Sequence, residues 1–326
     1  MNKKQLVIAV MAAVLSVTGA NATSTITGIT NGGSGTFNIN PEKVNGDVGY
    51  RAYDNFNLGE GDIANLIYRY NQGDQRAIET FVNLVKNGVN INGIVNSMRD
   101  GDFYNGHAVF ITPGGLTVGA SGVLNVGTLS VATPTASGYN SLLSEYNNKN
   151  YNNINQISKL KQDGNAPIDI RGYVFARNGV DLAGTNISVS GKIVNGMSES
   201  KAMSTVSQAE ALFNKLVNTD GSINANAAKQ SNGSLVFLHS FNKGGASDGI
   251  NVSGTVANMT AGNPLKMANG SVALTSAGAN GITVSGNIAA NGKLSLYNKN
   301  GDMNISGKLT NKDGELAITN GVAANA

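Results

Sequence analysis

Gly106 to Pro134 reads GHAVFITPGGLTVGASGVLNVGTLSVATP. Apolar residues alternate along it in short runs: Val109 and Ile111, Leu116 and Val118, Val123, Leu124 and Val126, Leu129 and Val131. Gly or Pro-Gly breaks separate the runs. Period-two alternation over so few residues marks half-buried strands, and the glycines mark their ends. No segment between them is long enough for a crossover helix. The chain must turn corners and stack on itself, which predicts an all-β fold, a right-handed parallel β-helix with short flanking or capping helices.

A repeat in the C-terminal third extends the argument. Val272/Leu274 in GSVALTS, Leu294/Leu296 in GKLSLYN and Leu316/Ile318 in GELAITN follow one another at 22 residues. Between them, Ile282/Val284 in GITVSGN precede Met303/Ile305 in DMNISGK by 21. GINVSGT at Gly249 to Thr255 and TNISVSGK at Thr185 to Lys192 carry the same xIxVSG unit. Three strands of about five residues plus corners make one coil of this length, and coils stack at about 4.8 Å. A sandwich or barrel with the same alternation has no reason to repeat at a fixed register.

Two segments break the pattern. In Asp62 to Lys86, Ile63, Leu66, Ile67 and Tyr70, then Ile78, Phe81, Val82 and Val85, fall at helical spacing. Asp62 and Asp74 are plausible N-caps, with Gly73 and Gly88 as stops. In Ser198 to Asn218, Ala209, Leu212, Phe213 and Leu216 form one stripe. Both are predicted helical excursions, near 62–86 and 198–218, on the flank or over the open end of the β-helix. Tyr139 to Asn165, crowded with Asn147, Asn148, Asn150, Asn152, Asn153 and Asn155, reads as a surface loop or excursion between coils.

Composition excludes several classes. The chain has 326 residues, 42 Gly, 47 Asn, no Cys and only 13% charged residues. Gly and Asn both tolerate the left-handed backbone of tight corners, and Asn can stack in amide ladders. The 40% apolar content argues against a disordered Asn-rich linker. The start, MNKKQLVIAVMAAVLSVTGANA, has the order of a signal peptide: Lys3 and Lys4, an apolar run from Leu6 to Val17, then Ala20-Asn21-Ala22. Residues 1–22 are read as removed, with Thr23 the first residue of the product. Without Lys3 and Lys4 the net charge falls from +3 to +1, so no basic patch argues for nucleic acid. No later run is apolar enough for an integral membrane segment. His107 and His239 stand alone, giving no metal site, and no cofactor is implied.

VFITPGGLTVGASGVLNVGTLSVATP resembles the secretion domain of two-partner secretion exoproteins, the haemagglutination-activity domain of filamentous haemagglutinins. The family pattern is an Asn-Pro-Asn-Gly turn, an apolar run, a Gly, then Ala-x-Val-x-Val-Gly. YRAYDNFNLGEGDIANL at Tyr50 to Leu66 is similar to the family's earlier YxxFNV segment. INGIVNSMRDGDFYNGHAVFITPGGLTVGASGVLNVGTLSVATPT looks closest to the leukotoxin-family filamentous adhesins. The Asn-Pro-Asn-Gly turn is Thr112-Pro113-Gly114-Gly115 here, which keeps Pro and Gly but lacks the Asn side chains.

The resemblance implies a secretion module over residues 23–250 and the start of a filamentous shaft over 251–326. It implies export through the Sec translocon into the periplasm of a double-membraned bacterium. Recognition by an outer-membrane barrel transporter follows, then folding outside the cell. The residues expected to form the motif turns or meet that partner are Asn55, Phe56, Asn57, Thr112, Pro113, Gly114, Gly115 and Gly119. The absence of Cys suits threading through a barrel. The expected product is a secreted or cell-surface adhesin and not an enzyme, and the sequence names no receptor.

Two alternatives stand beside it. A contact-dependent growth-inhibition toxin would need a toxin domain, and the chain ends inside its repeats at NGVAANA, as a fragment or truncated reading frame would. A β-helical polysaccharide-binding or polysaccharide-degrading protein would need clustered carboxylates and a basic residue, for which Asp169, Arg171 and Asp181 are the candidates. Asp100/Asp102 and Glu60/Asp62 serve equally as turn residues or helix caps. Tyr68, Tyr70 and Phe81 could form a docking surface, although helix core is the commoner use of such residues.

Overall fold

The computed structural model describes residues 24–29, 35–71, 75–230, 234–261 and 269–321. The proposed signal peptide and its cleavage residues Ala20, Ala22 and Thr23 lie outside these. Among the described residues, twenty-nine strands run through three sheets. The first sheet is β1 (Thr25–Ile26), β5 (Phe56–Leu58), β8 (Val89–Ile91), β12 (Leu116–Val118), β15 (Ile168–Ile170), β18 (Asn186–Val189), β21 (Gly249–Val252), β24 (Ile282–Val284) and β27 (Met303–Ile305). The second is β2 (Thr36–Ile39), β6 (Ile63–Ile67), β9 (Ile94–Arg99), β13 (Val123–Asn125), β16 (Tyr173–Phe175), β19 (Lys192–Asn195), β22 (Thr255–Asn258), β25 (Asn287–Ala290) and β28 (Lys308–Asn311), with β10 (Asp102–Phe103) folded back on β9. The third is β3 (Lys43–Asn45), β4 (Val48–Tyr53), β7 (Thr80–Val85), β11 (His107–Ile111), β14 (Thr128–Ala132), β17 (Gly179–Gly184), β20 (Leu235–Ser240), β23 (Ser271–Ser276), β26 (Leu294–Asn298) and β29 (Leu316–Asn320).

From β5 onward the chain visits the sheets in rotation, and successive coils pair in parallel. This is a parallel β-helix. The repeats predicted from sequence stack in register. Ile187/Val189, Ile250/Val252, Ile282/Val284 and Met303/Ile305 are Cα partners in the first sheet. Val272/Leu274, Leu294/Leu296 and Leu316/Ile318 are partners in the third. The inward rows form one continuous core, from Phe37 and Ile39 to Leu294 and Leu296.

The glycine of the xIxVSG unit has a steric reason. A Cβ on Gly254 would stand 1.9 Å from the Gly191 carbonyl oxygen, one on Gly286 2.1 Å from that of Gly254, and one on Gly307 2.0 Å from that of Gly286. Each corner glycine occupies the space directly against the glycine of the preceding coil, and no side chain fits there.

Coil length varies through insertions at corners. Ile168 and Ile187 are neighbours in the stack only 19 residues apart. Leu116 and Ile168 are 52 apart, because α1 (Ala136–Asn147) and α2 (Ile157–Leu160) intervene. Ile187 and Ile250 are 63 apart, because α3 (Val206–Leu216) intervenes. The helices lie on the flanks. Tyr139, Leu142 and Tyr146 of α1 cover Tyr50, Val82, Leu84, Val109 and Ile111 on the outside of the third sheet. Ala209, Leu212, Phe213 and Leu216 of α3 cover Ile94, Val123, Tyr173, Phe175 and Val194 on the outside of the second. The N-terminal edge is covered by strands: β1 runs antiparallel on β5 and β3 antiparallel on β4, which occupies edge groups otherwise open to pairing.

One expectation needs correction. The described residues of 62–86 are not helical; they form β6 and β7. Asp62 precedes a strand, and Gly88 (φ +103°) ends a corner. Gln72 to Asp74, which hold the predicted stop and second cap, lie outside the described residues. The helical spacing arose because these strands are apolar on both faces: Phe81 and Val85 point into the coil while Val82 and Leu84 meet α1. The Asn-rich segment 139–165 is an excursion between coils, as expected, and it carries most of α1 together with α2. Thr135 caps α1 by accepting from the Gly138 N–H at 3.1 Å. The predicted helix at 198–218 is α3, closed by a capping box between Thr205 and Gln208.

Candidate recognition edge and strap

The corner from the third sheet to the first brings the motif turns together. Asn55 heads this corner in the first coil, and its N–H donates to Thr27 Oγ1 at 3.0 Å. Its side-chain oxygen accepts from Asn87 Nδ2 at 3.2 Å, one coil on. Against Asn87-Gly88 lies Thr112-Pro113-Gly114-Gly115. Thr112 is buried, and its Oγ1 accepts from the Gly114 N–H at 3.3 Å. The Gly115 carbonyl accepts from the Val89 N–H at 3.0 Å, and the Leu116 N–H donates to the Pro167 carbonyl at 3.2 Å.

This turn needs both glycines. Gly115 has φ +82°, and a Cβ on it would stand 2.3 Å from the Pro167 carbonyl oxygen. A Cβ on Gly114 would stand 2.7 Å from the Gly88 backbone nitrogen. Gly114 itself is exposed at the tip and Pro113 is half-buried. The edge thus presents Asn55, Asn87, Pro113 and Gly114 on three consecutive coils.

The other predicted residues separate from it. Phe56 is wholly interior, edge-on to Phe110 at 5.7 Å and to Tyr53 at 5.5 Å. Asn57 sits on the outer face of the first sheet, where its Oδ1 accepts from Asn90 Nδ2 at 2.8 Å. Gly119 belongs to the opposite corner, where a Cβ would strike Asn92 Oδ1. Tyr68 and Phe81 are core residues packed edge-on at 6.0 Å, which removes them from any docking surface. Asp169 pairs with Arg171 at 3.1 Å on the first sheet, whereas Asp181 pairs with Lys161 on the third. The three candidates of the polysaccharide reading do not share a site. His107 and His239 both lie on strands of the third sheet. His107 Nε2 meets Ser130 Oγ at 2.8 Å, and burial together with the Lys161 charge lowers its pKa to about 4. Among the described residues no helix is long and apolar enough to cross a membrane.

A second arrangement was not read from sequence. On the outside of the second sheet, Asn65 Nδ2 donates to Asn38 Oδ1 at 3.0 Å, Asn96 to Asn65 at 3.4 Å and Asn125 to Asn96 at 2.9 Å. Arg177 Nη1 closes the ladder on Asn125 Oδ1 at 2.6 Å. The ladder holds an extended strap, 199–203. Arg177 Nη2 donates to the Glu199 carbonyl at 2.9 Å, Asn125 Nδ2 to that of Lys201 at 2.8 Å and Asn96 Nδ2 to that of Met203 at 2.9 Å. Asn96 Oδ1 also accepts from the Met203 N–H at 2.9 Å. Alternate strap residues thus meet successive coils. Arg177 is fully buried over the Phe103 ring, with carbonyl and amide oxygens as its partners. The signal was the recurrence of Asn at equivalent strand positions, hidden by unequal coil lengths.

Comparison with known proteins adds little at the sequence level: no protein family's profile matches the chain, and no curated protein matches it. Among solved structures it is similar to the HMW1 secretion domain from Haemophilus influenzae. The two are 13% identical over 92% of this chain and 74% of that one, with a TM-score of 0.41.

Proposed function

We propose that this chain is an exported two-partner secretion protein. Residues 1–22 direct it to the Sec translocon, and residues 23–250 are recognised by an outer-membrane barrel transporter. Residues 251–326 begin the shaft of a secreted or surface-attached filamentous adhesin with no catalytic role. The observation that carries this reading is the stacking of Asn55 and Thr112-Pro113-Gly114-Gly115, the two turns of the motif, on one edge of the N-terminal coils. The β-helix itself supports it on physical grounds. Each coil contacts only its neighbours, so a chain emerging from a barrel can add coils one at a time to a folded start. Without Cys, no disulfide loop obstructs threading.

The test is export of the chain in cells with and without the barrel partner, scored as protein in the medium. Three variants accompany it: Asn55→Ala, Pro113→Ala, and the triple change Pro113→Ala, Gly114→Ala, Gly115→Ala. The wild type is released only with the partner. The single variants keep the wild-type melting behaviour as purified protein but lose export, and the triple variant loses both. Release without the partner, or retention of the wild type in the periplasm, overturns the reading.

A further inference from the structure

Beside the second sheet, beyond α3, the loop through Ser222, Ile223 and Lys229 encloses a cavity of about 220 Å³ against β25 and β28. Its floor is β25, where Ala289 faces outward with a side chain too small to fill the space and Ala290 belongs to the interior core. Its polar lining is Ser222, Lys229, Asn291, Thr310, Asn311 and Lys312. Both lysines are held from the backbone: Lys229 bridges to Met197, and the Lys312 N–H donates to the Ala290 carbonyl at 3.1 Å.

The amide of Asn311 is unsatisfied in a way that cannot be repaired by turning it over. Its Oδ1 accepts from the Gly314 N–H at 3.1 Å, which fixes which end is oxygen. Its Nδ2 is buried and has no acceptor. A buried donor left unpaired is costly, and native proteins rarely keep one without a partner. The two ammonium groups add positive charge beside it: Lys229 is half-buried and Lys312 is exposed. Nearby Lys308 is taken by Asp220 at 2.6 Å and Lys293 by Glu315 at 3.0 Å, whereas Lys229 and Lys312 have no ion-pair partner among the described residues. Burial and the Lys312 charge both lower the pKa of Lys229, and Asp313 opposes this only in third place. The cavity therefore gathers two cations and an orphaned donor, and its described lining contains no carboxylate.

We infer that this cavity binds a small oxyanion, held by Lys229, Lys312 and the Asn311 amide N–H groups. The anion supplies the missing acceptor and the missing negative charge, and joins the loop after α3 to the last two coils. The site lies on the opposite part of the molecule from the motif turns and goes beyond the secretion reading. It is assayed on purified protein, so its failure is distinct from a failure of export.

The test is titration of the purified chain in chloride buffer at constant ionic strength with inorganic sulfate, inorganic phosphate or acetate. Calorimetry reads binding and thermal unfolding reads stabilisation. Sulfate or phosphate is expected to bind at one site and raise Tm saturably. Lys229→Gln and Lys312→Gln, both on partly exposed side chains, are expected to weaken binding about tenfold each. Asn311→Asp, which replaces the donor by a carboxylate, abolishes it. A response to acetate as well widens the class to carboxylates and still supports the site. A Tm rise that does not saturate, or that is the same in wild type and both lysine variants, is a general salting effect and overturns the proposal.

Discussion

The coils that precede residue 240 are wrapped on two flanks, whereas those that follow are covered only on the second sheet, where Ala257, Met259 and Ala289 join the α3 cluster. Both groups are built on inward apolar rows stacked in register. They differ in outer cover and in the size of the interior side chains. In the first group α1 and α3 seal apolar outer faces, and an amide ladder holds the strap. The large interior aromatics Tyr53, Phe56, Tyr68, Phe81 and Phe110 also lie there. The last coil has little cover: Met303, Ile305 and Leu309 are only partly buried, and Leu316 and Ile318 are 50% and 47% exposed. The inward pattern alone is enough to make a coil, and the insertions decide how much stability that coil has beyond its neighbours' support.

If that is correct, the largest loss comes from the aromatic interior. Phe110→Ala removes a ring packed edge-on to Phe56 and leaves a void between two wrapped coils. A cost of about 3–5 kcal/mol is expected from urea unfolding. A cost near zero would mean that the wrapped coils are loosely packed.

The next effect depends on pH. His107 lies under α2 with its pKa lowered to about 4, first by burial and then by Lys161. The unfolded chain protonates this group near 6.5, so between those values the unfolded state binds more protons. Stability attributable to His107 is full above pH 6.5 and is lost as pH falls toward 4, by about 3 kcal/mol. His107→Gln flattens this slope. His239, on the less covered part of the same sheet, is lowered by burial and partly restored by Asp181, so His239→Gln changes the slope less. Equal slopes in the two variants would remove the distinction between covered and bare faces.

A smaller effect follows from the strap. Asn96→Ala strands the N–H and C=O of Met203 and takes the acceptor from Asn125. A loss of about 1–3 kcal/mol is expected, with faster hydrogen exchange confined to 199–216. Asn251→Ala, on the exposed outer face of β21, is the control and stays within about 0.5 kcal/mol.

The same contrast explains what could be read in advance. The last coils were legible because they repeat at nearly constant length: Ile282/Val284 to Met303/Ile305, and Val272/Leu274 to Leu294/Leu296 to Leu316/Ile318, are plain strand signals 21 or 22 residues apart. The wrapped coils were harder. Strand β7 resembles a helix in sequence because a strand buried on both faces loses its alternation, and β6 does so because Ile63 and Ile67 place apolar residues on its half-buried outer face as well. Helix α1 was masked by the Asn cluster that follows it. Of the motif residues, Thr112-Pro113-Gly114-Gly115 was legible as a turn, but its sharing a corner with Asn55 was not, because a whole coil separates the two in sequence. Phe56 could not be separated from Asn57 by residue type alone, because only the strand direction sends one inward and the other out. The strap depends on register across coils of unequal length, which no local pattern carries.

The smallest predicted effect tests the bare end most directly. Leu274, Leu296 and Ile318 are successive partners in one inward column, so sequence assigns them the same role. Leu274 is fully buried, and its replacement by Ala should cost about 2–5 kcal/mol. Among the described residues Ile318 has a coil on one side only, and Ile318→Ala should cost no more than about 0.5 kcal/mol in the same urea titration. The argument turns on burial alone, since the column, the sheet and the strand register are shared. If Ile318→Ala instead costs as much as Leu274→Ala, something covers that column in solution. Repeating the titration over a hundredfold range of protein concentration then shows whether the cover is a second copy of the chain, because only an association makes the midpoint depend on concentration.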